Sequence, residues 1–127
     1  METQIKFTQW QIEEVLFREM VKSHEVSNVA HLIQLQPHYE NNEIMGINVI
    51  AKEKNNPSKE VKITFNLHQI EALAFKEMVY SKEIPNTQHS IKIDFNIDKK
   101  NNVVTILSLN ATAKELQKSL ISKILPH

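Results

Sequence analysis

The chain has 127 residues, the size of one ordinary domain, and its 41% apolar and 24% charged residues are typical of a soluble globular protein. Fifteen basic and fifteen acidic side chains cancel, which argues against a general polyanion-binding protein. The lack of cysteine excludes disulfides, thiolate metal sites and a cysteine nucleophile. The single glycine, Gly46, excludes the glycine-rich phosphate loops.

The N-terminal segment METQIKFTQW has no basic region followed by an apolar run, so we predict no signal peptide. No apolar stretch approaches the roughly 20 residues that span a bilayer. We therefore expect a cytoplasmic protein that makes no membrane contact.

Six strands are predicted from runs in which apolar and polar residues largely alternate. They cover residues 5–7, 33–39, 43–52, 61–65, 91–97 and 103–111. The strand at 43–52 and the strand at 103–111 carry apolar residues on both faces, which predicts that their second face is partly covered. Each of these two strands follows an Asn-Asn pair, and asparagine tolerates the positive φ of tight hairpin turns.

Two long helices are predicted at residues 9–25 and 67–83, each opened by a capping box. The boxes pair Thr8 with Gln11 and Asn66 with Gln69. A third helix is predicted at 112–125, because Thr112-Ala113-Lys114-Glu115 also has the capping-box spacing.

One segment of the chain occurs twice. Twelve of the 25 positions between residues 7 and 31 are identical to the residue 58 positions further along. In the first copy these are Phe7, Gln11, Ile12, Glu13, Phe17, Glu19, Met20, Val21, Ser23, Glu25, Asn28 and His31. We interpret the match as an internal duplication with units at about 1–53 and 59–111.

These patterns predict an α+β fold formed by a single domain of two pseudo-symmetric βαββ repeats. We expect one mostly antiparallel sheet of up to six strands, with both repeat helices on one face. The C-terminal helix at about 112–125 has no counterpart in the first repeat.

The predicted helices have a wider apolar arc than one contact with a sheet requires. One interpretation is that each helix packs on the sheet and also on another helix. The other is a partner-binding or homodimer surface. The candidate surface residues on helices and sheet are Phe17, Val21, Phe75, Val79, Ile44, Ile50, Val104 and Ile106.

Four glutamates, Glu13, Glu19, Glu71 and Glu77, fall inside the apolar arcs, where a carboxylate is costly unless it is paired. They are candidates for a cation site or for acid–base chemistry, with helix-dipole and ion-pair roles as the structural alternative. His31 and His89 are weak metal-ligand candidates, since imidazole binds Zn, Cu and Ni but no metal-binding spacing surrounds them. We predict no cofactor.

Three functional hypotheses remain open. The first is a non-enzymatic module that binds another protein, forms a homo-oligomer and acts as a small regulator, inhibitor or assembly factor. The second is a pseudo-twofold sheet that binds nucleic acid, which zero net charge and a single arginine, Arg18, make unlikely. The third is a small metal-binding protein or enzyme that uses the repeated glutamates and histidines.

Overall fold

The computed structural model describes residues 2–116 of the chain. Its elements are β1 (Glu2–Thr8), α1 (Gln9–Lys22), β2 (His31–Glu40), β3 (Glu43–Glu53), β4 (Asn56–Asn66), α2 (Leu67–Tyr80), β5 (His89–Lys100) and β6 (Val103–Glu115). The predicted α+β class is confirmed, with two helices and six strands that all pair antiparallel.

The six strands form two three-stranded sheets, so the prediction of one sheet of up to six strands is wrong. The first sheet has the order β1-β6-β5 and the second has the order β2-β3-β4. Each hairpin, β2–β3 or β5–β6, therefore receives its third strand from the other half of the chain. The helices connect the sheets: α1 leads from β1 to β2, and α2 leads from β4 to β5.

Both helices begin where their capping boxes predict. The side chains of Thr8 and Asn66 accept hydrogen bonds from the backbone N–H of Gln11 and Gln69, whose own side chains accept from the cap N–H groups. These four bonds satisfy donors that the first helical turn leaves unpaired.

Both helices end three residues before the predicted position, at Lys22 and Tyr80. His24 and Lys82 adopt left-handed φ values of 60° and 62°, which turns the chain out of the helix. The sequence contains no glycine at these positions, and so the usual signal for this kind of helix end is missing.

A β-bulge in β6 explains part of the irregular alternation seen in the sequence. Leu107 is an extra residue between Ile106 and Ser108, whose partners Ile97 and Asn96 are adjacent on β5. A bulge shifts the alternation of side chains by one residue. Ile106 therefore lies on the core-facing side of its sheet. The interpretation that Ile106 lies on the face opposite Leu109 is therefore wrong, whereas Val103 and Leu107 remain exposed apolar residues.

The two hairpins turn at Asn41-Asn42 and Asn101-Asn102, where all four residues have φ between 51° and 65°. This confirms the predicted asparagine turns. Beyond the second turn, β6 continues to Glu115, and Thr112 pairs with Gln4 on one side and with Lys92 on the other. The prediction that a helix begins at 112 is therefore wrong, because the central strand position supplies two hydrogen-bonded neighbours. The rest of that predicted helix, from residue 117 onward, lies outside the described residues.

The core lies where the helices cover the inner faces of the sheets. The core residues of each helix are spaced about one helical turn apart, and the core residues of the strands alternate with polar residues. The members that are at most 1% exposed are Met20, Met78, Ile47, Val49, Ala51, Ile106, Ala111 and Ala113. Within residues 2–116, neither helix is long and apolar enough to cross a membrane.

Candidate functional site

A groove runs between the outer side of α1 and the beginning of β2. We call it the α1 groove and define it by Trp10, Glu13, Phe17, Val29, His31 and Leu32. Trp10 and Phe17 share one side of α1 because they are seven residues, or two helical turns, apart. The strand residues enter the groove from the edge of the second sheet.

The α1 groove carries a concentration of exposed apolar side chains. Trp10 is 72% exposed, Leu32 58% and Val29 49%. Scattered apolar residues are common on protein surfaces, whereas several in one concave site indicate a binding surface. Sequence reasoning did not identify these three residues. The spacing of two helical turns between Trp10 and Phe17 is the sequence signal that predicts the tryptophan on the same side of α1 as Phe17.

His31 has a defined orientation in the α1 groove. Its Nδ1 lies 2.7 Å from the carbonyl oxygen of Val29, and this oxygen only accepts, so Nδ1 donates the hydrogen. The imidazole packs beside the Phe17 ring, with 5.1 Å between the ring centroids. In the neutral form, Nε2 is therefore the hydrogen-bond acceptor of this side chain.

A corresponding groove, the α2 groove, lies between α2 and β5 and includes Glu71, Phe75 and His89. His89 Nδ1 lies 2.8 Å from the Thr87 carbonyl oxygen, and the ring centroids of Phe75 and His89 are 5.9 Å apart. Three of the twelve repeated residues thus have the same arrangement in both halves of the chain.

The apolar character of the two grooves differs. Trp10 of the α1 groove is matched in sequence by His68, which is paired with Glu71 at 3.4 Å between Nδ1 and Oε1. Leu116, 46% exposed, is the main exposed apolar residue of the α2 groove. The α1 groove is the more apolar and aromatic of the two.

Burial raises the pKa of the Glu13 carboxyl above its usual value. Glu13 is half-buried on the α1 groove wall, and it forms no ion pair with a cation of residues 2–116. Removing a carboxylate from water without a compensating charge disfavours its ionised form. The groove therefore presents an acidic group whose ionisation a cationic ligand would favour.

Glu13→Gln is expected to raise the free energy of unfolding at pH 7, by well under 1 kcal/mol because Glu13 is only half-buried and water still screens its charge. A raised folded-state pKa means that the folded protein binds more protons than the unfolded one, so stability falls as pH rises through the range above the ordinary Glu pKa. The stability gained by Glu13→Gln should therefore disappear at pH values below the ordinary Glu pKa. Urea unfolding at pH 4 and pH 7 measures it, with the exposed neighbour Glu14→Gln as the control for the change in net charge. An equal gain at both pH values would contradict the prediction.

The helix candidates of the predicted interaction surface are all half-buried. Phe17 and Phe75 line the α1 and α2 grooves. Val79 packs against the core, and Val21 lies one residue before the end of α1. Among the sheet candidates, Ile44, Ile50 and Val104 are half-buried. Ile106 is 0% exposed and offers no surface to a partner.

The four candidate glutamates are not brought together in one site. Glu13 and Glu71 lie in the separate α1 and α2 grooves. Glu77 pairs with Arg18 of the other helix at 2.8 Å, which is a structural role. Glu19 is half-buried near the end of α1, where its backbone carbonyl accepts from the Ser23 hydroxyl.

The two histidine candidates, His31 and His89, lie in different grooves and on different sheets. Among the described residues, no group of three or more His, Asp or Glu side chains is placed to hold a metal ion. The structure therefore provides no assembled ligand set for the metal-site hypothesis within residues 2–116.

Fold and grooves define a small α+β protein with two related surface grooves, one of them aromatic, apolar and acidic. No family model, curated protein or solved structure matches the chain.

Proposed function

We propose that this protein is a non-enzymatic interaction module that binds another protein through the α1 groove. The observation that carries the proposal is the cluster of Trp10, Val29 and Leu32, each about half or more exposed, in one concave site. Tryptophan is among the residues that contribute most to binding energy at protein interfaces.

The chemistry of the α1 groove favours a partner segment that combines an apolar and a basic side chain. Trp10 and Leu32 offer apolar contact, and the indole face also attracts a cation. Glu13 offers a hydrogen-bond acceptor, as does His31 Nε2 when the imidazole is neutral, and a guanidinium or ammonium group supplies donors to both. One cation, Lys54, lies at the groove and is itself exposed.

An extended segment suits the position of the α1 groove. β2 is an edge strand of its sheet, so one side of its backbone is free of strand pairing within residues 2–116. Partner segments commonly add to such an edge and place alternate side chains in adjacent pockets. The part of β2 that can pair with an added strand ends near Pro37, because proline lacks the N–H that strand pairing requires.

The test uses a random peptide display library selected against the purified protein. We expect enriched peptides with an Arg or Lys close to a large apolar residue. Trp10→Ala should weaken their binding by about tenfold or more, in the range of interface residues with large contributions. Tyr80→Ala is the matched control, because Tyr80 is 83% exposed and lies outside the α1 groove.

Trp10 is also the only tryptophan of the chain, so it reports directly on occupation of the groove. The free protein should show the emission of a water-exposed indole, and a selected peptide should shift it to shorter wavelength and protect it from acrylamide quenching. Peptides that bind Trp10→Ala and the unmodified protein equally well would overturn the proposal.

We also infer that the two βαββ segments arose by internal duplication, with units at about 1–53 and 59–111. Matching capping boxes, matching left-handed residues at positions 24 and 82, and matching histidine–carbonyl bonds support this inference.

A further inference from the structure

The outer edge of β5 differs from the other three free strand edges. Within residues 2–116, β5 pairs with β6 on one side only. It runs for twelve residues without proline, and the bulge of this hairpin belongs to β6. By contrast, β2 contains Pro37, β4 contains Pro57 and β1 has only seven residues. Proline and short length are common ways to prevent edge-to-edge pairing, and β5 has neither.

The apolar row of β5 is also incompletely covered. Ile91, Ile93, Phe95 and Ile97 all face the helix side of the sheet, and all remain half-buried. The corresponding row of β2 includes the buried Leu35 and Pro37. A further strand beside β5 would extend the sheet and cover this row.

We propose that two copies of this chain associate through antiparallel pairing of their β5 strands. This β5–β5 pairing joins the two β1-β6-β5 sheets, one from each copy, into one six-stranded sheet. The proposal involves no residue of the α1 groove and does not depend on the proposed function.

The outward-facing charges of β5 select one register of this pairing. With Phe95 opposite Phe95 of the second copy, Lys92 lies opposite Asp98 at two symmetric places. Asp94 then lies opposite Asn96, and no like charges face each other. Opposite charges directly across an antiparallel pair are stabilising, and like charges are destabilising.

Neighbouring registers are worse. Registers shifted by one residue place the apolar row opposite the polar row and are excluded by the pleat. Shifting the pairing by two residues in one direction places Asp94 opposite Asp94, and in the other direction it places Lys92 opposite Lys100. Shifting the pairing by four residues places Lys92 opposite Asp94 in one direction and Asp94 opposite Lys100 in the other, but each of these registers aligns a shorter part of the strand. In the single chain, Lys100 already lies 3.8 Å from Asp98, with both side chains exposed, so Lys92 of the second copy would share this carboxylate.

The test uses two charge-reversed variants, Lys92→Asp and Asp98→Lys. Each variant alone places like charges at both symmetric positions, so its dimer dissociation constant should rise about tenfold or more. An equimolar mixture restores both Lys–Asp pairs and should form a heterodimer with an affinity near that of the unmodified protein. Sedimentation velocity over a concentration series measures all three samples, and circular dichroism of each variant verifies that it folds.

Recovery of the dimer in the mixture supports the β5 pairing and its register. A monomeric unmodified protein at millimolar concentration would overturn the proposal. Variants that dimerise as well as the unmodified protein would place the interface elsewhere and also overturn it. Two weakened variants whose mixture does not recover would contradict the register.

Discussion

Ile106→Ala is expected to lower the free energy of unfolding by about 2–5 kcal/mol, the range for removing a large aliphatic side chain from a core. Ile106 is 0% exposed, and the bulge at Leu107 directs it to the core-facing side of its sheet. The loss combines the transfer free energy of the removed methylene and methyl groups with the cavity they leave. Urea unfolding followed by circular dichroism measures the change.

Val104→Ala is the matched control for this prediction. Val104 lies two residues closer to the hairpin turn on the same strand and is half-buried. Its truncation should cost clearly less, about 1 kcal/mol or below, because part of its surface is already in water. Equal losses at the two positions would contradict the difference in burial between Ile106 and Val104.

Gly46→Ala is expected to lower the free energy of unfolding by about 1–3 kcal/mol, as overpacking a closely packed site does. A Cβ at Gly46 would overlap the backbone carbonyl oxygen of Phe65 and approach Asn66 Cα to 3.1 Å. Both neighbours are backbone atoms at the end of β4, directly before α2, so no flexible side chain can move to relieve the overlap. Thermal and urea unfolding both measure the loss.

Ser108 provides an internal control for the Gly46 prediction. Gly46 pairs with Asn66, the cap of α2, and Ser108 pairs with Thr8, the cap of α1, so the two positions correspond. Ser108 therefore carries a Cβ at the position that corresponds to Gly46. Its buried hydroxyl has no hydrogen-bond partner among residues 2–116. Ser108→Ala should leave stability unchanged or raise it by up to about 1 kcal/mol, because an unpaired buried hydroxyl is costly. If Gly46→Ala is equally harmless, the close approach of β3 and β4 is not tight in solution.

The candidate site was only partly predictable from the sequence. The repeat and the helical wheel indicated Phe17, Glu13 and His31 as residues of interest. The groove also requires Val29 from the loop between α1 and β2, and Leu32 from an edge strand. No helical periodicity connects these segments, so only the folded chain shows that they share a surface with Trp10.

The sequence by itself determined the features that depend on near neighbours in the chain. The capping boxes set the beginnings of α1 and α2, the Asn-Asn pairs set the hairpin turns, and the clean alternation of β5 set its two faces. Each of these depends on hydrogen bonds or side-chain directions within a few residues, where sequence spacing and spatial distance agree.

Only the tertiary structure decided which strands pair and where alternation is interrupted. β1 pairs with β6 about one hundred residues away, and β4 pairs with β3 rather than with the hairpin of its own half. Residues 112–115 join β6 despite their capping-box spacing. The physical reason is that a period of two specifies the face of a strand but not its partner, which is selected by the summed burial and pairing of both sheets.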